Sequence, residues 1–146
     1  MRRLNVTVKI PDELKAKPDR IPSVEVNLVG VNNSDLGKWQ GSMSDYWSPG
    51  NKLRADNKEN MLVFRFSQGT PGPFNLGRKD PIYKRWQAMN ATHMLVLADI
   101  PGVKEGPEDP RRKVLPLHPK AWTVDAITIT IKAGGISCEP GHRKVR

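Results

Sequence analysis

Three histidines, one cysteine and a short run of mixed charge are the residues of this 146-residue chain that could do chemistry. His93, His118 and His142 lie far apart, and none forms the i,i+4 pair that places two imidazoles on one helix face. Cys138 and His142 are four positions apart, but two ligands do not complete a tetrahedral metal site. Glu105, Glu108 and Asp109 sit beside Arg111 and Arg112. Two readings are open for that run. One is local charge pairing of the exposed, weakly stabilising kind. The other is an acid–base dyad, which needs convergent and partly buried carboxyls. The phosphate-loop, dinucleotide and nucleophile-elbow signatures are missing from the chain. The expectation is therefore no catalytic residue, no metal and no cofactor.

Recognition chemistry has more support. The stretch SMSDYWSPGNKLRA, residues 42–55, combines Tyr46 and Trp47 with a Ser-Pro-Gly-Asn turn and two bases. Pro49 fixes φ, and Gly50 is free to take positive φ. Exposing large aromatics is costly, so Trp39, Met43, Tyr46 and Trp47 are expected to fold back over a sheet as a satellite cluster. The competing reading keeps some of them outside as anchors, since interface hot spots favour Trp, Tyr and Arg. Both hold if buried rings order a segment that presents residues 51–58. The candidate partner-binding set is Trp39, Tyr46, Trp47, Asn51, Lys52 and Arg54. Aromatics interleaved with cations also suit single-stranded nucleic acid, so a basic nucleic-acid-binding module is the alternative function. Tyr83 and Trp86 flank Lys84 and Arg85, but the rings fall on the apolar side of a helical pattern, which argues for core packing.

The elements that must position these residues are short. Thirteen Pro and twelve Gly divide the chain, as in an all-β domain. NVTVKI (5–10) alternates with Val6, Val8 and Ile10 on one face. SVEVNLVGV (23–31) starts with Val24, Val26 and Leu28 in phase and then switches at Gly30, which predicts a β-bulge there. MLVFRF (61–66) and the apolar run THMLVLADI (92–100) read as strands, and 67–79 as loop. KVLPL (113–117) reads as a short strand, and Pro116, which cannot donate to a ladder, argues for an edge position or a bulge. AITITIK (126–132) buries Ile127, Ile129 and Ile131, and Gly134-Gly135 turns it into a last strand. DPIYKRWQAMN (80–90) predicts one short helix, with Asp80 as cap, Pro81 in the first turn and Asn90 closing it. The expected fold is mainly β, an antiparallel β-sandwich with one short helix inserted between six or seven strands. It is expected to span 1–146 as one domain. Within it, 11–22 is a charged connector, 32–60 a long inter-strand loop or small subdomain, and 139–146 a basic tail.

The formal charge of +9 favours acidic partners. A single cysteine excludes an internal disulfide. No apolar run of about 18 residues is present, so no transmembrane helix is expected. The N-terminal LNVTVKIPDELK has no apolar core of the kind a signal peptide carries.

The order of VEVNLVGVN, a long loop, HMLVLADIPG, RRKVLPL and ITITIKAGGI resembles the outer-membrane lipoprotein of type VI secretion systems, over about 23–136. The resemblance implies a transthyretin-like sandwich with small helical additions and no enzymatic activity. It also implies docking, through a loop after the first core strand, onto the periplasmic part of an inner-membrane protein. That loop would be 32–60, and the compartment periplasm or outer membrane. The family's acylated cysteine lies at the mature N-terminus, whereas Cys138 lies near the other end. The expected function is a structural or adaptor component of a protein assembly.

Overall fold

Two four-stranded sheets face each other in the computed structural model, which describes residues 1–15 and 17–143. The strands are β1 (Asn5–Lys9), β2 (Val24–Val31), β3 (Met61–Phe66), β4 (Phe74–Leu76), β5 (His93–Ala98), β6 (Arg112–Pro116), β7 (Ala126–Lys132) and β8 (Gly135–Glu139). One sheet has the order β4-β1-β7-β8 and the other β3-β2-β5-β6. Their inner faces bury Val6, Val8, Val26, Leu28, Met94, Val96, Ile127 and Ile129 in one core. The alternation seen in 5–10 and 126–132 is thus the signature of sheets with one face inward. The β-sandwich expectation holds. Among the described residues every strand pairing is antiparallel except one, in which β1 runs parallel to β7, Asn5 opposite Ala126 and Lys9 opposite Thr130.

Four expectations need correction. First, no bulge interrupts β2, because Val29, Gly30 and Val31 pair in unbroken register with Leu95, Met94 and His93. The phase switch has a different cause, since β2 is buried on both faces. Val24, Val26 and Leu28 face the inter-sheet core, while Val29 and Val31 face a second cluster outside the sheet. Gly30 is where Trp86 lies flat against the strand, and a Cβ there would be 2.4 Å from the indole ring. Second, 67–79 is not all loop, for Phe74–Leu76 forms β4 and pairs with β1. Third, the strands number eight among the described residues. Fourth, several short helices accompany the one predicted. They are α1 (Asp12–Lys15), α2 (Met43–Tyr46), α3 (Lys52–Asp56) and α4 (Ile82–Ala88), with 3-10 turns at Pro18–Arg20, Asn33–Trp39, Lys58–Asn60 and Pro119–Ala121.

Helix α4 is the one read from the sequence. The Asp80 carboxylate accepts from the Ile82 N–H at 2.9 Å, and Asn90 closes the helix at φ 56°. Only three turns at most are available, so packing must hold it. Tyr83 and Trp86 are both fully buried, meet edge to face at 5.3 Å, and are tied in by hydrogen bonds. The Tyr83 hydroxyl bonds the Leu4 backbone, and the Trp86 N–H donates to the Asn60 carbonyl at 2.7 Å. Burial pushes the Tyr83 phenol up to about 12, although the Leu4 hydrogen bond works the other way. Pro116 ends β6 at the outer edge of its sheet, as its missing N–H requires.

Candidate functional site

Segment 32–60 is folded into a layer of short helical pieces, three to seven residues long, on the outer face of the β2/β5 sheet. Three of its four helical pieces start with a side chain that caps free backbone N–H groups. Asn32 accepts from Ser34 N–H, Ser42 from Asp45 N–H, and Asn51 from Arg54 N–H. Such short helices lack cooperativity of their own. The layer is held by a second apolar cluster in which Trp39, Met43 and Tyr46 cover Val29, Val31, Met61, Leu95 and Leu97. Full burial of a side chain of this size is worth roughly 1.5–3 kcal/mol, so the rings fasten the layer to the sheet.

The six candidate residues occupy three kinds of place. Trp39 and Tyr46 are buried, at 3% and 2% exposure. Their rings lie 6.0 Å apart, and Tyr46 meets Trp47 edge to face at 4.9 Å. The Tyr46 hydroxyl donates to Asn27 Oδ1 at 2.7 Å, and Asn27 in turn donates to Glu25 at 3.1 Å. Burial raises the Tyr46 pKa well above that of a free phenol, so it stays a donor. Trp47, Asn51 and Arg54 are half-buried. Asn51 closes the Ser-Pro-Gly-Asn turn, in which Gly50 has φ 75°. Arg54 donates to the Tyr46 carbonyl at 3.0 Å and the Ser48 carbonyl at 2.7 Å. Its guanidinium lies 5.8 Å from the Tyr46 ring centroid and 5.6 Å from that of Trp47. The Trp47 indole N–H is buried with no hydrogen-bond partner among the described residues. Lys52 is exposed. Five of the six thus order the layer, and Lys52 stands on its rim with Lys58.

Sequence reasoning missed the residues that clamp this layer from the other side. The stretch after β5 reaches over it. Glu105 accepts from the Ser42 hydroxyl and from the Ser44 N–H at 3.2 Å, and these bonds hold its carboxyl below the usual range. Arg112 donates to the carbonyls of Trp39 at 3.2 Å and Gly41 at 2.8 Å. Arg111 and Asp109 form a bidentate pair at 2.9 and 2.7 Å. Of the two readings of this run, charge pairing describes Asp109 and Arg111, but the pair is not the exposed kind. Asp109 is 4% and Arg111 7% exposed, and the Arg111 guanidinium reaches the Ser44 hydroxyl of the layer at 3.4 Å. The Arg111 guanidinium keeps Asp109 ionised to lower pH than a free carboxyl despite burial. The only hint in the sequence was Asp-Pro-Arg-Arg itself.

Among the described residues no group of three or more His, Cys, Asp or Glu could hold a metal ion. His93 is half-buried at the start of β5, with its pKa lowered by burial and its Nδ1 2.8 Å from the Thr92 hydroxyl. Cys138 lies on β8, and burial raises its thiol pKa, which makes it a poor nucleophile. Trp39, Tyr46, Tyr83 and Trp86 are all buried, so none offers a face for a base to stack on. Among the described residues no helix is long and apolar enough to cross a membrane.

No family model and no curated protein matches the sequence. Solved structures do match the fold, nearly end to end. A chain of a type VI membrane complex superposes with a TM-score of 0.61 at 13% identity, covering 96% of this chain and all of that one. Serratia marcescens Lip, a membrane-bound component of the type VI secretion system, gives 0.55 at 16% identity and 99% of both chains. The type VI lipoprotein TssJ1 from Pseudomonas aeruginosa gives 0.50 at 11% identity, over 99% of this chain and 98% of that one. The resemblance noted in the strand order is thus present in the three-dimensional fold.

Proposed function

We propose that the chain is a non-catalytic structural component of a type VI-like secretion apparatus in the cell envelope, and that it docks on a protein partner through the rim of the 32–60 layer. The observation that carries this reading is the fold, shared over 96–99% of the chain with components of that apparatus. The layer supports the location. It is rigidly built, by buried rings beneath and by Glu105 and Arg112 above. A surface already ordered in the free protein loses little entropy on binding. The periplasm or the outer membrane is the compartment that follows.

The test is purification of the tagged chain from its own cell envelope, followed by identification of what comes with it. Wild type brings down an envelope protein of a type VI complex. The rim variant Lys52→Glu/Lys58→Glu loses it while melting like wild type. Trp47→Ala/Arg54→Ala also loses it, with a lowered melting temperature. Retention of the partner by the rim variant refutes docking through this layer. Recovery of nucleic acid instead of protein, released by salt, supports the alternative function.

A further inference from the structure

The strand directions gather positive charge at one end of the sandwich. Arg2 and Arg3 lead into β1, and Arg78 and Lys79 follow β4, whose Leu76 pairs with Val6. Lys120 lies just before β7, in the turn Pro119–Ala121. The tail returns to the same end, where the Arg143 N–H donates to the Ala121 carbonyl at 2.7 Å and His142 meets the Trp122 ring at 5.7 Å. Lys84 joins them from α4, because it shares a helix face with Gln87, and Gln87 accepts from Arg3 at 3.2 Å.

Three acids near this end are engaged, while Glu139 at the end of β8 is exposed and forms no ion pair among the described residues. Asp125 pairs with Arg2 at 2.7 Å and lies 3.9 Å from Arg78, Asp80 caps α4, and Glu59 pairs with Arg85 at 3.0 Å. No ion pair forms at Arg3, Lys79, Lys84 or Lys120 among the described residues. Arg3, Asn5, Gly77, Arg78 and Lys79 line an open hollow of about 640 Å³ without a single carboxylate.

From this placement we infer that the end of the sandwich where β1 and β7 begin lies against the anionic phosphate headgroups of a lipid bilayer. The surface has what a headgroup plane needs and lacks what other anionic partners need. Tyr83 and Trp86 beneath it are fully buried, and among the described residues the one exposed large apolar side chain, Val63, is on β3. There is no platform for nucleic-acid bases and no aromatic anchor for a protein hot spot. What remains is a field of long-stemmed cations over an open surface, and each such cation adds about fivefold to binding near an anionic membrane. The inference rests on the envelope location proposed above and adds a second surface, separate from the 32–60 layer.

The experiment is flotation of the purified chain with vesicles of phosphatidylcholine, alone or with phosphatidylglycerol added, in low and high salt. Wild type floats only with phosphatidylglycerol present, and salt releases it. Arg78→Ser/Lys79→Ser/Lys84→Ser binds about 100-fold more weakly, from three factors of about five. Lys52→Ser/Lys58→Ser/Lys104→Ser, which removes equal charge elsewhere, changes binding less than about tenfold. Lys79→Glu/Lys84→Glu provides a second variant, and all are checked for wild-type melting. Equal loss in the two triple variants overturns the inference, because net charge would then explain binding. So does flotation with phosphatidylcholine alone, or none at all. Competition by millimolar inorganic phosphate would point to a discrete free-phosphate site and also overturns it. Tighter binding to a homopolymeric RNA, lost in the same variant, would do so in favour of nucleic acid. Failure here with the rim result intact leaves the docking proposal standing.

Discussion

Removing one partner from the Asp109–Arg111 pair should cost far more than surface charges ever do. Asp109→Ala leaves the Arg111 guanidinium, 8% exposed in its side chain, with its two best acceptors gone. The remaining contact is the Ser44 hydroxyl at 3.4 Å, which is long for a bond to a charged donor. Breaking a buried pair from one side typically costs about 3–5 kcal/mol, against about 0–1 kcal/mol for an exposed pair. For a chain of this size about 1 kcal/mol shifts the midpoint by roughly 2–4 °C, so Asp109→Ala should melt on the order of 10 °C below wild type. The diagnostic step is the double variant. Asp109→Leu/Arg111→Met buries apolar groups of similar size and should recover to within about 1 kcal/mol of wild type. Urea unfolding followed by tryptophan fluorescence reads all three proteins, since Trp39 and Trp47 lie in the layer beside the pair. A single variant that loses less than about 1 kcal/mol would place the pair energetically at the surface. A double variant less stable than the single would refute the argument that the stranded charge is the cost.

Three further outcomes are expected. Gly30→Ala brings a Cβ within 2.4–2.6 Å of three Trp86 ring atoms, and should destabilise by about 2–3 kcal/mol through overpacking. Thermal melting checks it, and Trp86→Leu should relieve most of the loss when combined with Gly30→Ala. Tyr46→Phe leaves Asn27 Oδ1 buried without its donor and should cost about 1–3 kcal/mol, read as a loss of urea midpoint with the slope unchanged. The pH dependence follows from the direction of the Asp109 shift. Its pKa is lower in the folded chain than the ordinary 3.8, with the Arg111 hydrogen bonds as the main cause. The stabilisation is therefore complete above pH ~4 and is lost as pH falls through the depressed value. Stability measured downward from about pH 4 should fall more steeply in wild type than in Asp109→Leu/Arg111→Met, and parallel slopes would refute it.

The sequence was most readable where one face of an element is wet and the other dry. Residues 5–10 and 126–132 alternate because water touches one side only, and α4 shows its stripe for the same reason. The signal failed where that contrast is missing. Segment 23–31 is covered on both faces, so its apolar run changes phase with no change in geometry, and Gly30 answers to a neighbouring ring. Phe74–Leu76 is too short to show a period. The 32–60 layer consists of helical pieces of three to seven residues, too short for an amphipathic period to show. Aromatic residue type still gave away the burial of Trp39 and Tyr46, because exposing such rings is expensive. The clamp by Glu105, Arg111 and Arg112 could not be read, since it joins segments more than sixty residues apart.

The parallel pairing of β1 with β7 sets an order of assembly. Every strand of the β3-β2-β5-β6 sheet lies between Val24 and Pro116, so that half can close as the middle of the chain emerges from the ribosome. The first strand made has to wait for nearly the last one. Until Ala126–Lys132 is synthesised, Asn5–Lys9 has only the three residues of β4 to hold it. Long-range closure of this kind is slow, and a chain cut short before β7 would carry an oily ribbon with an open flank, ready to join another copy.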